Sequence, residues 1–420
     1  MLPENIKTQK TLLDLLLPRE LHCGSFGVCG GLGVFFLLRR ECSIVFYLSL
    51  FMRNSACSHV LNLVAYEPGK PIEELALEIG FSPEKILKLA SNENPLGPSP
   101  MALVAMRQAL VRSNLYPDGS GLSLREVIAK KCGLAIENVI LGNGSNEIIE
   151  LCGHAFLQPR DEVITAQYSF AIYALVAGLF GANVVRIPSP EYSYDLEAMY
   201  RAITLRTRQL CIVNPNNPTG TAVTQEEIDS FMARVPEHVL VIFDEAYREF
   251  LDAPPNTLRY VHENRNVVVM RTFSKAYGLA NLRVGYGLAP AQVAKVLQKV
   301  RQPFNVNGIA QAGALAALED KEHIRATYEL VCKGRSYLQA QLDVLGLKYI
   351  PSQANFILVH TGRSRGGEAV FRAMLQRGII IRAMRSYMLP EWIRISVGTP
   401  EQNRRLISEL KKVLQSTTNY

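Results

Sequence analysis

Short β-branched runs near residues 139, 163, 184, 211, 240 and 268 alternate with helical stretches through the middle of this chain. Each parallel strand needs a crossover to return to its sheet, and a helix is the usual crossover. The alternation therefore predicts an α/β fold, a mostly parallel central sheet with helices on both faces. A chain of 420 residues at 48% hydrophobic content can bury so large a core and predicts more than one domain. In such a sheet ligands gather outside the carboxyl ends of the strands. The residues that follow each run are where chemistry is expected.

Three of those places carry reactive side chains. Leu210-Cys211-Ile212-Val213 leads into Asn214-Pro215-Asn216-Asn217-Pro218-Thr219-Gly220, and Val239 to Phe243 leads into Asp244-Glu245-Ala246-Tyr247. Val267-Val268-Val269-Met270 leads into Thr272-Phe273-Ser274-Lys275, with Arg283 eight positions further on. Taken singly, the first string is turn chemistry, Asp244 is a helix N-cap and Lys275 is a solvated surface lysine. Taken together, an amide, a carboxylate with a phenol, and an amine with a hydroxyl and a guanidinium converge on one crevice. That set can hold an aldehyde cofactor covalently and grip its phosphate. Two weaker signals join it. Gly142-Asn143-Gly144-Ser145-Asn146 reads as a glycine turn opening a helix, whose N–H groups suit an anion. Gln167-Tyr168-Ser169-Phe170 offers an aromatic face just beyond another strand.

In this order the motifs resemble the fold-type I enzymes dependent on pyridoxal 5′-phosphate, and more narrowly the aminotransferase I/II group, from about Tyr66 to the end. The resemblance implies that Lys275 binds the aldehyde and then carries a proton at substrate Cα. It implies that Asp244 faces the ring nitrogen and that Tyr247 and Asn217 bond the phenolic oxygen. Ser274, Arg283, Gly144, Ser145 and Asn146 are implied at the phosphate. Phe170, preferred to Tyr168, is implied against the ring. Tyr116 matches a tyrosine that reaches the phosphate of the neighbouring subunit, which implies a homodimer.

Four further strings narrow the likeness. They are Tyr66-Glu67-Pro68-Gly69-Lys70-Pro71, Ser91-Asn92-Glu93-Asn94-Pro95-Leu96-Gly97-Pro98, Val300 to Asn307, and the pair Gly378 to Arg382 with Trp392 to Thr399. Together they resemble the histidinol-phosphate aminotransferases. That resemblance implies exchange of an amino group between L-histidinol phosphate and 2-oxoglutarate, giving imidazole-acetol phosphate and L-glutamate, in histidine biosynthesis. Both amino donors are anions, which arginine binds by forked hydrogen bonds. Arg394 with Arg382 is expected at that anion, Tyr66 at the pocket mouth, and Asn94, with Asn355, in the wall. An aromatic amino-acid transaminase and a threonine-phosphate decarboxylase remain open. A regulatory protein of the same lineage is disfavoured, because no helix-turn-helix pattern precedes the motifs.

A net charge of +7 is modest at this length, and no basic run interleaved with aromatics points to nucleic acid. The eight cysteines form no Cys-x-x-Cys pair, so neither zinc nor a disulfide framework is expected, and a cytoplasmic setting follows. Residues 1–60 contain the apolar stretches Gly24 to Leu38 and Ile44 to Met52, both shorter than the ~20 residues that span a membrane. They are expected to form an extension outside the fold, with Met52 as an alternative start. Residues 61–97 are expected to form an arm joining a small lobe, 98–310 the large cofactor domain, and 311–420 the small C-terminal domain. Within the arm, Pro71 to Ile79 reads as a helix stopped by Gly80.

Overall fold

The structure is a computed structural model that describes residues 56–65, 69–363 and 366–416. The chain divides into two units, Met1–Leu61 and Asn62–Tyr420. The described part of the first contains the short helix Ser58–Leu61.

The strands of the second unit, in chain order, are β1 (Leu87–Lys88), β2 (Val139–Gly142), β3 (Glu162–Ala166), β4 (Asn183–Ile187), β5 (Thr207–Val213), β6 (Leu240–Asp244) and β7 (Val267–Thr272). There follow β8 (Gly285–Leu288), β9 (Tyr349–Ile350), β10 (Phe356–His360), β11 (Ile379–Ile380), β12 (Arg382–Ala383) and β13 (Trp392–Ser396). Seven of them form the central sheet, in the order β2-β8-β7-β6-β5-β3-β4. The ladders joining β7, β6, β5, β3 and β4 are parallel, and β8 runs antiparallel to both its neighbours. All six runs expected from the sequence are strands of this sheet.

Alternation along β6 and β7 explains why both faces are covered. Val241, Phe243, Val267 and Val269 enter one apolar cluster, while Leu240, Ile242, Val268 and Met270 enter the other. Successive side chains of a strand point to opposite faces, so a strand with apolar residues at every position needs helices on each side. β8 was absent from the sequence expectation because Gly285-Tyr286-Gly287-Leu288 lacks β-branching. Its glycines answer a packing demand instead. A Cβ on Gly285 would lie 2.5 Å from the Ser145 backbone nitrogen, so glycine lets that helix start sit directly on the sheet.

A second sheet, β12-β13-β10-β9, is antiparallel throughout. Its core includes Ile357, Val359, Ile393 and Ile395, covered by the helices Lys321–Val344, Gly367–Leu375 and Pro400–Ser416. β1 pairs in parallel with β11, which ties the stretch before residue 97 to this sheet's surroundings. The helix Ile72–Ile79 follows Pro71 and ends at Gly80, whose φ of 68° is the left-handed stop that glycine adopts at low cost. The sequence border at 310/311 falls inside the helix Gly308–Glu319. Its Ala310, Ala314 and Ala317 pack in the first cluster of the central sheet.

Candidate active site

β2, β3, β5, β6 and β7 all point their carboxyl ends to one edge, and antiparallel β8 begins there. A cavity of about 200 Å³ opens at that edge, and its wall includes Asn217, Asp244, Tyr247, Ser274, Lys275 and Arg283. Ser145, Asn146, Phe170, Arg382 and Arg394 line it as well.

Local chemistry fixes each side chain. The turn after β5 is held from within: Asn214 exchanges side-chain hydrogen bonds with the Val223 backbone, and the Gly220 N–H donates to the Asn216 carbonyl. Asn216 Nδ2 donates to the Tyr168 carbonyl at 2.7 Å. Asn217 is thereby presented to the cavity, where its Oδ1 accepts from Arg394 Nη1 at 2.6 Å. Asp244 ends β6 and is buried. One carboxylate oxygen accepts from the Tyr173 hydroxyl at 2.8 Å and the other from the Ala246 N–H at 3.1 Å. Burial pushes its pKa up to about 6, against the pull of those two donors.

Lys275 follows β7 and donates from Nζ to the Ser91 carbonyl at 2.9 Å. Burial lowers its pKa to about 8, helped by the positive charges of Arg394 and Arg283. Such an amine is neutral far more often near pH 7 than an ordinary lysine, and the neutral form is the nucleophile. Arg283 Nη1 donates to Ser274 Oγ at 3.2 Å. Both face the helix Ser145–Phe156, which opens after Gly144 with no side-chain cap. A helix start of that kind leaves N–H donors for an anion. Gly144 has a φ of 76°, and a Cβ there would lie 2.1 Å from Arg283 Nη2. Only glycine allows the guanidinium so close to the turn.

Arg382 and Arg394 are direct cross-strand partners on β12 and β13. Like charges placed opposite each other destabilise a sheet. Arg394 is buried, donates from Nη2 to the Ala90 carbonyl at 2.7 Å, and leaves its Nε without a partner. The pair is intelligible as a seat for an anion.

A family profile, aminotransferase class I and II, matches residues 84–410. A histidinol-phosphate aminotransferase of Akkermansia muciniphila is 56% identical over 86% of this chain and 99% of its own length. One from Moorella thermoacetica is 45% identical over 84% of this chain and 92% of its own length. The chain belongs to the histidinol-phosphate aminotransferases, within the class I and II aminotransferases. Among solved structures, a histidinol-phosphate aminotransferase of Sinorhizobium meliloti in complex with pyridoxal 5′-phosphate superposes with a TM-score of 0.78 at 28% identity. It covers 86% of this chain and 99% of the other.

Some residues expected in the site of this aminotransferase lie elsewhere. Asn94 is outside the cavity wall. Its Nδ2 donates to the Ala276 carbonyl at 2.8 Å and to Thr327 at 2.9 Å, bracing the chain just past Lys275. Asn92 takes the inner position: its left-handed φ of 54° turns the chain, and its Nδ2 donates to the Tyr247 hydroxyl at 2.9 Å. Asn355 is buried and donates to the Asn92 carbonyl at 3.0 Å. Tyr168 stacks on Tyr192, with centroids 5.7 Å apart, and Phe170 is the aromatic in the wall. Tyr116 is 83% exposed and stacks on Phe304, away from this chain's own cavity. Tyr66 lies outside the described residues.

Tyr173 and Asn92 were missed as site residues. The first offered a signal, for it stands three positions after Phe170, in the first turn of the helix Ile172–Leu179. The second offered only its place in the Asn-x-Asn string.

Proposed function

We propose that this chain transfers the amino group of L-histidinol phosphate to 2-oxoglutarate, giving imidazole-acetol phosphate and L-glutamate, with pyridoxal 5′-phosphate held on Lys275. The observation that carries the reading is the sharing of one cavity by the Lys275 amine, the buried Asp244 carboxylate and an uncapped helix start.

The residues present suit that cofactor. The missing Cβ of Gly144 lets the Arg283 guanidinium reach the helix start, and Arg283 with Ser145, Asn146 and Ser274 would hold the phosphate. Asp244 is costly as a bare buried anion and gains from a cationic ring nitrogen. Phe170 would lie against the ring, and Tyr247 and Asn217 would meet its phenolic oxygen. When bound, the cofactor supplies an aldehyde for the amino group and a ring that accepts electron density from substrate Cα.

The rest is work for the chain's own groups. Lys275, with its lowered basicity, would take the proton from substrate Cα and pass it to the carbon that bore the cofactor's aldehyde, which leaves the amino group on the cofactor. Asp244 keeps its negative charge beside the ring nitrogen. Arg394 and Arg382 bind the phosphate of histidinol phosphate in one half-reaction and a carboxylate of glutamate in the other. Asn217, bonded to Arg394, couples that anion seat to the cofactor's edge. Two copies are expected to assemble, each lending Tyr116 to the other, in the cytoplasm. No described helix is long and apolar enough to cross a membrane.

Histidinol phosphate added to the yellow holoprotein should convert the bound aldehyde to its amine form, and 2-oxoglutarate should restore it. Conversion by phenylalanine but not by histidinol phosphate would favour an aromatic amino-acid transaminase. Release of carbon dioxide from threonine phosphate would favour a decarboxylase.

A further inference from the structure

The hydrogen bonds around Asn92 run in one direction. Its backbone N–H donates to Ser396 Oγ at 2.9 Å. The Ser396 hydroxyl, its oxygen so engaged, gives its own proton to Asn92 Oδ1 at 3.1 Å. Asn92 Oδ1 is the acceptor recorded for the Ser396 proton among the described residues, so Oδ1 facing Ser396 satisfies both groups and leaves Nδ2 to donate to the Tyr247 hydroxyl oxygen at 2.9 Å. The backbone is held, because Asn355 Nδ2 donates to the Asn92 carbonyl at 3.0 Å and the two residues before it are pinned by the site itself. Arg394 holds the Ala90 carbonyl and Lys275 holds the Ser91 carbonyl. Asn92, Tyr247, Asn355 and Ser396 are all buried.

A phenol has one proton. With an amide N–H already donating to its oxygen, the Tyr247 hydroxyl cannot donate back to Asn92, and no other acceptor for it is recorded among the described residues. We propose that Asn92 is a positioning residue that, locked by Ser396, turns the Tyr247 hydroxyl into an obligate donor toward the cavity. This rests on the reading that pyridoxal 5′-phosphate sits there with its phenolic oxygen toward Tyr247. A donor aimed at that oxygen favours its ionised form and lowers the pH at which the bound chromophore changes protonation. The charged or titratable groups around Tyr247 are Lys275, whose Nζ is 5.8 Å from the ring centroid, with Arg394, Asp244 and Tyr387. The Phe356 ring packs edge-on against it, 5.2 Å away.

The test is the pH midpoint of the cofactor absorbance in the holoenzyme. Asn92→Asp keeps the shape but replaces the donor by an acceptor, which captures the tyrosine proton and reverses the bond. The midpoint should rise by about one pH unit or more, the size expected when a hydrogen bond to a charged group is lost. Tyr247→Phe should raise it similarly, and the double variant should match Tyr247→Phe alone. Ser396→Ala, which unlocks the amide without adding charge, should give a smaller rise and serves if Asn92→Asp does not fold. A role confined to packing would change stability without moving the midpoint. An unmoved midpoint in Asn92→Asp or, failing its folding, in Ser396→Ala overturns the proposal, as do shifts that add in the double variant. Wild-type protein that takes up no cofactor overturns the underlying reading together with this one.

Discussion

Asp244 is an acid whose ordinary tendency is overturned by where it sits. Burial raises its pKa to about 6, so in the empty site it loses its charge as the pH falls through that value. The cofactor's ring cation requires the ionised carboxylate, so cofactor affinity should be greatest above pH 6 and fall below it. Tyr173→Phe removes a donor to the charged form. It should push the pKa of Asp244 higher still and move the fall in affinity upward by roughly half to one pH unit. The cofactor phosphate titrates in the same region, near ~6. The measurement is therefore the displacement between the wild-type and variant profiles of Kd against pH. Coincident profiles would leave Tyr173 a packing residue. Asp244→Asn should weaken binding roughly 10- to 100-fold at neutral pH, the scale of a lost charge-assisted hydrogen bond.

The turns that end the strands show what could be read before any coordinates. β5, β6 and β7 stood out because both their faces are apolar, and the polar string after each then had to lie at one edge. Lys275, Asp244 and Asn217 were legible for that reason. Asn92 and Asn94 were not told apart, because two residues of spacing cannot show that one adopts φ of 54° and turns inward. β8 was hidden because its glycines serve contact with the Ser145 helix start and leave no strand signature. That contact yields a prediction. Gly144→Ala would force a side chain into a positive-φ extended conformation essentially reserved for glycine, at a cost of ~1–3 kcal/mol, and drive a methyl group into Arg283. Cofactor Kd should rise by about tenfold or more, with the fold retained by circular dichroism. An unchanged Kd would separate this turn from the phosphate.

At the scale of the whole chain an exposed apolar patch and a pair of arginines stand out among the described residues. Val111, Leu115, Tyr116 and Phe304 are all exposed, Tyr116 to 83% and stacked on Phe304. Apolar patches of this kind mark protein–protein contacts, and a second copy is the partner proposed for it. Leu115→Asp should shift the chain toward monomer in sedimentation and lower turnover with it. Tyr116→Phe should stay dimeric while weakening cofactor binding. Full activity from a monomeric Leu115→Asp chain would show that each site is complete in one copy. The arginines are Arg382 and Arg394, cross-strand partners on β12 and β13 that share a cavity wall with Asn217 and Asp244 at the edge of the parallel sheet.

Lys275 is the residue proposed to carry the cofactor. The most direct measurement is borohydride reduction of the purified yellow protein, followed by peptide mapping by mass spectrometry. A single reduced pyridoxal phosphate adduct on the peptide containing Ser274-Lys275-Ala276, absent from Lys275→Ala, is the predicted result. An adduct on a different lysine, or undiminished labelling of Lys275→Ala, would contradict it.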